Sequence, residues 1–239
     1  LSCDGLWLDA EAFEGICVNS EAQAAILQLR DLPDMPSCME MVDDQLLNVV
    51  EKISPNLLKD VVVRPYPRII MLIEFDTLGD RVQKKVVKKA EKILEKLGAT
   101  FTVEYDLLEQ EKFWKIRHSS AIVVGHSENG LKALPVIEDG IVPPERLREY
   151  MEGLYAIFAR NQLQAAVWGH AGDGNLHVQP FLDLSQVGGR QKVFRLMDEY
   201  TKLVLSLGGS ISAEHGEGRL RAPYMAAQYG PEVYALFQK

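Results

Sequence analysis

His170 and His177 flank the run Ala-Gly-Asp-Gly-Asn-Leu. Asp173-Gly174 between two extended stretches is a strong signal for a two-residue hairpin, because a type I′ turn needs positive φ at both central positions. With those two residues as the turn, Gly172 pairs with Asn175 and Ala171 with Leu176, so His170 stands opposite His177. Directly opposed side chains have Cβ atoms ~4.5–5.5 Å apart, close enough for two imidazoles to share one metal ion. The other face of this hairpin carries Val167, Gly169, Ala171, Leu176 and Val178 and reads as core. A solvated cross-strand histidine pair is the plain alternative, and a third ligand decides between the two.

The segment Ser212-Ala-Glu-His-Gly-Glu-Gly supplies candidates. Glycines at 216 and 218 keep this loop free of bulk, so that either Glu214 or His215 can approach a ligand. The alternative for this pair is a solvated helix start. Two neutral imidazoles and one carboxylate make a divalent-metal site with open positions, a composition suited to catalysis. Arg117 and Arg221 fit as carboxylate clamps, since a guanidinium fork binds a carboxylate through two hydrogen bonds, although each taken singly also suits an ion pair. Asn175 offers a further hydrogen bond to a substrate or simply closes the turn. His118 and His126 have no motif around them.

The elements that must position these residues are readable from periodicity. Residues 14–19 read as a short strand, 21–30 as a helix ending before Pro33, and 37–42 as a second strand with a helix from about Asp43. Residues 68–75 form a buried third strand. Val82, Val86, Ala90, Ile93, Leu94 and Leu97 mark one face of a long helix stopped by Gly98, and 101–105 alternate as a fourth strand. The order β-α-β-(α)-β-α-β is that of ferredoxin-like domains. After a connecting helix over 107–123, a similar order begins again: strand 133–138, a helix from Pro143-Pro144 to about Asn161, strands 165–170 and 175–182, a helix over 190–207, and a clipped strand 211–213. The expected class is α+β: two ferredoxin-like βαββαβ halves, at about 14–105 and 130–215, forming one antiparallel sheet with helices on one face.

Composition narrows the function. The chain has 239 residues, 47% hydrophobic and 25% charged, with a formal net charge of -8, so it can bury a sizeable core but offers no basic surface for phosphates. The lysine-rich stretch 84–96 alternates with Val86, Val87, Ile93 and Leu94 and reads as the solvated side of an amphipathic helix. Cys3, Cys17 and Cys38 fall outside any metal spacing and suit a reducing compartment. No run reaches a membrane span and no signal peptide is evident, so a cytoplasmic location is expected. Leu1 is not an initiator Met, which points to a fragment.

Two longer stretches, Trp168-Gly-His-Ala-Gly-Asp-Gly-Asn-Leu-His and Ser212-Ala-Glu-His-Gly-Glu-Gly-Arg-Leu-Arg, resemble the C-terminal domain of FAD-linked oxidases, within the vanillyl-alcohol oxidase superfamily. That family includes D-lactate dehydrogenases, D-2-hydroxyglutarate dehydrogenases and the glycolate oxidase D subunit. Phe113-Trp-Lys-Ile-Arg resembles its Leu-Trp-x-x-Arg segment, and Lys132-Ala-Leu-Pro-Val-Ile-Glu-Asp-Gly-Ile-Val-Pro its Glu-Asp-x-x-Val-Pro stretch. The likeness is specific after about Asp106 and weak before it.

The resemblance implies an FAD-dependent oxidation of a 2-hydroxy acid to the 2-keto acid. It makes His170, His177 and Glu214 ligands of a divalent metal such as Zn. Arg117 would hold the substrate carboxylate, and His215, with Glu214, would face the flavin and the reacting carbon. It further implies two protein partners, an N-terminal FAD-binding domain and an electron acceptor such as an iron-sulfur protein or domain, and a location peripheral to a membrane electron-transfer complex. The residues after Arg117, His-Ser-Ser-Ala, point to no single subfamily. Nor does a Gly-rich pyrophosphate loop follow any strand, so the flavin-binding domain is expected to lie outside this chain. A non-redox module holding an organic acid or a partner domain in the same pocket is the rival reading. A metal-dependent hydrolase ranks behind it, for want of a clear second carboxylate beyond Glu217.

Overall fold

The computed structural model describes residues 4–9, 18–59, 61–62, 64–76, 79–128 and 130–239. Its first half contains strands β1 (Asp4–Asp9), β2 (Cys38–Asp43), β3 (Ile69–Phe75) and β4 (Thr100–Glu104) and helices α1 (Val18–Arg30), α2 (Asp44–Ile53) and α3 (Asp80–Lys96). Helices α4 (Leu107–His118) and α5 (Ser120–Val123) lead to β5 (Ser127–Glu128), β6 (Leu131–Ala133) and β7 (Gly140–Ile141). Then come α6 (Leu147–Arg160), β8 (Ala165–Gly169), β9 (Asn175–Leu182), α7 (Val187–Ser206), α8 (Gly218–Arg221) and α9 (Met225–Phe237). Of the expected strand at 14–19, residues 14–17 lie outside the described residues, as do Cys3 and Cys17. Val18 and Asn19 belong to α1, and the first strand is β1.

The strands form one sheet in the order β4-β1-β3-β2-β8-β9-β6-β5, with β7 also pairing β9, and every pairing is antiparallel. The order β4-β1-β3-β2 is the ferredoxin-like one. In the second half, β8, β9, β7 and an isolated bridge from Ile141 to Ser210 repeat it in mirror order. Of the strand expected at 133–138 only Ala133 is in a strand, at the end of β6, with β7 following at Gly140–Ile141, and the strand expected at 211–213 is replaced by the single bridge at the preceding Ser210. The seam between the halves is short: Met41 pairs with Gly169 and Val42 with Trp168.

Alternation along the strands sorts the core into two layers. Ile69, Met71, Ile73 and Phe75 of β3 and Val167, Leu176 and Val178 of the β8–β9 pair join α1, α3, α6 and α7 in the larger cluster. Ile70, Leu72, Val42 and Trp168 point the other way, against Leu46, Leu47 and Val50 of α2, Ile116 of α4 and Val123 of α5. The four long helices therefore share one face, as expected. The shorter α2, α4 and α5 cover part of the other, an addition caused by the two-sided apolar pattern of β2 and β3.

Asp43 starts α2. Fully buried, it accepts the N–H of Leu46 at 2.8 Å, the N-terminal cap that a first-turn donor requires, and also the N–H of Val167 at 3.2 Å across the seam and the hydroxyl of Tyr155 at 3.2 Å. In the turn between β8 and β9 Gly174 has φ +75, and a Cβ there would run into the carbonyl oxygen of Val142. Gly174→Ala is expected to cost about 2 kcal/mol or more, from the positive φ and the clash with backbone together. A urea titration measures this, and an unchanged midpoint would refute it.

Candidate metal and substrate site

β9 carries His177 on the face of Trp168, and His170 follows directly after β8. The register places His177 opposite Trp168, two residues away from the pairing expected from the turn. The cause is the turn itself. A 3-10 turn over residues 171–173 closes the strands, with the His170 carbonyl accepting the N–H groups of Asp173 and Asn175, and of the two expected turn residues only Gly174 has positive φ. A shift of two preserves the face on which each side chain stands. His170 and His177 therefore still meet, with ring centroids 5.3 Å apart at 86°.

The loop bearing Glu214 and His215 is held from below by Asp139. This residue is fully buried with φ +68. Its carboxylate accepts the N–H groups of Ala213 (3.0 Å), Glu214 (3.2 Å) and His215 (2.9 Å) and the Ser212 hydroxyl (3.4 Å). A strand ladder at 211–213 would have used some of these same donors. Their capture by a side chain explains why only a bridge forms there.

Three imidazole nitrogens converge on one carboxylate oxygen. Nε2 of His177, His170 and His215 lie 3.2, 3.3 and 3.5 Å from Oε1 of Glu214. Ligand atoms bonded at ~2.0–2.1 Å to a tetrahedral metal stand about 3.4 Å apart. Each imidazole turns its Nδ1 toward a second carboxylate. His170 Nδ1 is 2.6 Å from Glu40 and His215 Nδ1 is 2.8 Å from Glu138, while His177 Nδ1, buried and without a hydrogen-bond partner among the described residues, lies 3.5 Å from the other oxygen of Glu138. With Nδ1 carrying the proton, the three Nε2 lone pairs face an anionic oxygen, a donor set that a cation would satisfy. His170, His177 and Glu214 could thus hold a metal ion. Asp139, His177, Glu214 and His215 also offer ligand atoms within 4.8 Å of one another, but the Asp139 carboxylate is already committed to backbone N–H groups.

The charges around the cluster interlock. Burial works against the ionised form of Glu40, yet hydrogen bonds from His170 and Arg117 hold its carboxyl below the ordinary range. The same opposition of burial by His177, His215 and Arg221 lowers Glu138. The hydrogen bond to Glu40 raises His170. For His215, burial disfavours the charged ring, but Glu138 outweighs it and the net direction is upward.

Arg117 ends α4. Its Nε donates to Glu40 at 2.5 Å and Nη1 to the Ser120 hydroxyl at 3.2 Å, while Nη2 has no hydrogen-bond partner among the described residues. Arg221, expected as a second substrate clamp, is buried and faces inward. It donates to the Glu138 carbonyl at 2.8 Å, to the Glu138 carboxylate at 3.1 Å and to the Gly216 carbonyl. The geometry supports a role in holding the loop. Asn175 is buried too and donates to the Gly140 carbonyl at 3.2 Å, anchoring the segment that carries Glu138 and Asp139. Glu40, Glu138 and Asp139 were not singled out as site residues from the sequence. The available signal was a carboxylate inside an apolar strand (Met39-Glu-Met) and an adjacent acidic pair after Val136-Ile137.

The chain is 32% identical over 129 residues to a D-2-hydroxyglutarate dehydrogenase of Haemophilus influenzae, covering 54% of this chain and 12% of that one. It is 29% identical over 207 residues to glycolate oxidase subunit GlcD of Escherichia coli, covering 85% and 39%. A D-lactate dehydrogenase of Archaeoglobus fulgidus matches at 28% over 211 residues, covering 86% and 42%. The chain thus spans well under half the length of these relatives. Its fold is similar to that of p-cresol methylhydroxylase with substrate bound, at TM-score 0.66 and 11% identity, covering 98% of this chain and 48% of that one. Among the described residues no helix is long and apolar enough to cross a membrane. The sequence model described as FAD linked oxidases, C-terminal domain, matches residues 17–239, and with nearly the whole chain matched the protein belongs to that family.

Proposed function

We propose that this chain is the substrate- and metal-binding part of an FAD-dependent oxidoreductase that converts a 2-hydroxy acid of the D-lactate, glycolate or 2-hydroxyglutarate type to its 2-keto acid. The observation that carries this reading is the convergence of three imidazole Nε2 atoms on Glu214 beside Arg117. His170, His177 and Glu214 would hold a divalent ion, which when bound would supply a Lewis acid for the substrate hydroxyl. The remaining Nη2 of Arg117 binds the substrate carboxylate, and its Nε bond to Glu40 fixes the guanidinium plane. His215 takes the hydroxyl proton at Nε2, because its Nδ1 is already engaged by Glu138. FAD, bound mainly by residues outside this chain, would supply the hydride acceptor. Glu214 and His215 are half exposed on a loop whose Gly216 and Gly218 have open space at the Cβ position, so this wall is accessible to a second domain.

The test is elemental analysis and zinc titration of the purified chain, alone and with His170→Ala or His177→Ala. Wild type is expected to hold one divalent ion, and each variant to lose more than ~100-fold in affinity, beyond the 10–100-fold attached to outer-sphere partners. Unchanged metal content in both variants would sink the ligand assignment. The substrate class is tested separately, by assaying the complete flavin-containing protein with D-lactate, glycolate and D-2-hydroxyglutarate. Turnover of none of them would favour a non-redox organic-acid module.

A further inference from the structure

Helix α3 breaks a rule of helix surfaces. Arg81, Lys84, Lys85, Lys88, Lys89, Lys92 and Lys96 are all exposed. Five pairs among them stand four residues apart, where like charges repel across one helical turn. Among the described residues none of the seven is in an ion pair, and Lys84 alone has an aromatic contact, 5.9 Å from the Tyr105 ring centroid. Arg30, Arg64, Arg68, Arg146, Arg148 and Arg160, by contrast, each hold a carboxylate.

Read from the sequence, this stretch is a solvated helix side in a chain of net charge -8. The structure shows how unevenly that charge is spread. Residues 81–96 carry seven cations against Glu91 and Glu95, a net +5, so the remainder carries -13. At about 100° per residue the seven cations fall within an arc of about 140°, and at ~1.5 Å per residue they form a strip about 22 Å long. Val86, Val87, Ala90 and Leu94, on the opposite side of the helix, fill the core. Packing therefore gives no reason for the repulsion, and a mixed-charge surface would serve solubility better.

We infer that the exposed face of α3 is an electrostatic docking surface for an anionic membrane. Protein partners are held by buried Trp, Tyr and Arg anchors and their interfaces are depleted of Lys. Here six of the seven cations are lysines, and Val82, at the margin, is the only exposed large apolar residue of α3. Anionic headgroups need only point charges at the surface, and each lysine strengthens adsorption roughly fivefold. Screening over ~8 Å at physiological salt keeps most of the negative charge elsewhere on the molecule from cancelling a contact made through one helix. The position of α3 also suits such a contact. It packs with the long helices on one face of the sheet, whereas Arg117 and His177 belong to the other face, so docking through α3 leaves the site open. This surface is separate from the metal reading and does not depend on it.

The test is co-sedimentation of the complete flavin-containing protein with vesicles of phosphatidylcholine, alone or mixed equally with phosphatidylglycerol, at low and at physiological ionic strength. Wild type is expected to bind the mixed vesicles, to leave them as salt rises, and to ignore the neutral ones. Lys85→Glu/Lys88→Glu turns four of the five repulsive pairs attractive, so the helix is expected to keep its stability. Its affinity for the mixed vesicles is expected to fall at least about 25-fold, fivefold for each cation removed. Lys52→Glu/Lys202→Glu has the same net charge but alters α2 and α7, and is expected to bind nearly as wild type. No binding by wild type at low ionic strength, or equal weakening in both variants, would overturn the inference. So would a preference for poly-L-glutamate over the vesicles, which would assign the strip to an acidic protein.

Discussion

Asp139→Ala is expected to destabilise the protein by about 3–5 kcal/mol and to abolish tight metal binding. Its buried carboxylate accepts three backbone N–H groups of the loop bearing Glu214 and His215 and lies 3.6 Å from Arg221. Charge-assisted hydrogen bonds contribute about 1.5–3 kcal/mol each, and removing one partner of a buried ion pair costs about 3–5 kcal/mol. Much of the gross loss is recovered, because the loop is exposed and water can reach its freed N–H groups. Arg221 keeps Glu138, which limits the electrostatic part. Asp139→Asn, which tolerates the positive φ and keeps one acceptor, is expected to lose about half as much. Urea denaturation gives the stability, and zinc titration reports whether Glu214 is still in place. A loss below 1 kcal/mol with wild-type affinity would show that the loop is held by something else.

The second large effect concerns pH. Burial raises the Asp43 carboxyl from 3.8 to about 7, against the lowering effect of the Leu46 and Val167 N–H groups. The folded protein therefore binds this proton more tightly than the unfolded chain does. Its contribution is fully present below about pH 4 and is lost as pH rises through about 7, a change of about 4 kcal/mol. Asp43→Asn mimics the protonated form at every pH. The difference in stability between variant and wild type should be small at pH 4 and reach a few kcal/mol in favour of the variant at pH 8. Parallel stability curves across that range would show that Asp43 stays ionised throughout, its three hydrogen bonds overcoming burial.

The sites of agreement and failure between sequence and structure have separate physical reasons. The face shared by His170 and His177 was legible because side-chain alternation has period two, and an error of two residues in register leaves every face unchanged. The turn was not, since Asp173-Gly174 favours a type I′ hairpin only where nothing else claims the loop. Here Arg30 donates to the Gly172 carbonyl and to the Asp173 carboxylate at 3.3 Å, a contact spanning more than 140 residues. Glu40 was not legible for the same reason. Its partners His170 and Arg117 lie far along the chain, and only the packing of α4 and the second half of the sheet against β2 brings them together. The long helices were legible from their apolar stripes. The strand expected at 211–213 was not, because the N–H groups of Ala213, Glu214 and His215 go to the Asp139 side chain, nor was the one at 133–138, where the Val136 N–H turns back onto the Leu134 carbonyl.

The seam between the two halves of the sheet has consequences beyond the fold. Only two residue pairs join β2 to β8, so the backbone ladder by itself is a weak hinge. Other fastenings lie on either side of it: Gln23 against Glu145 and Arg148 among the helices, and Glu40 against His170 in the site. The contact that orients a candidate metal ligand is thus also a clasp between the halves. Anything that tightens the metal site would draw the two halves together, and a substitution far from it that loosens their grip would be felt there as misplaced chemistry.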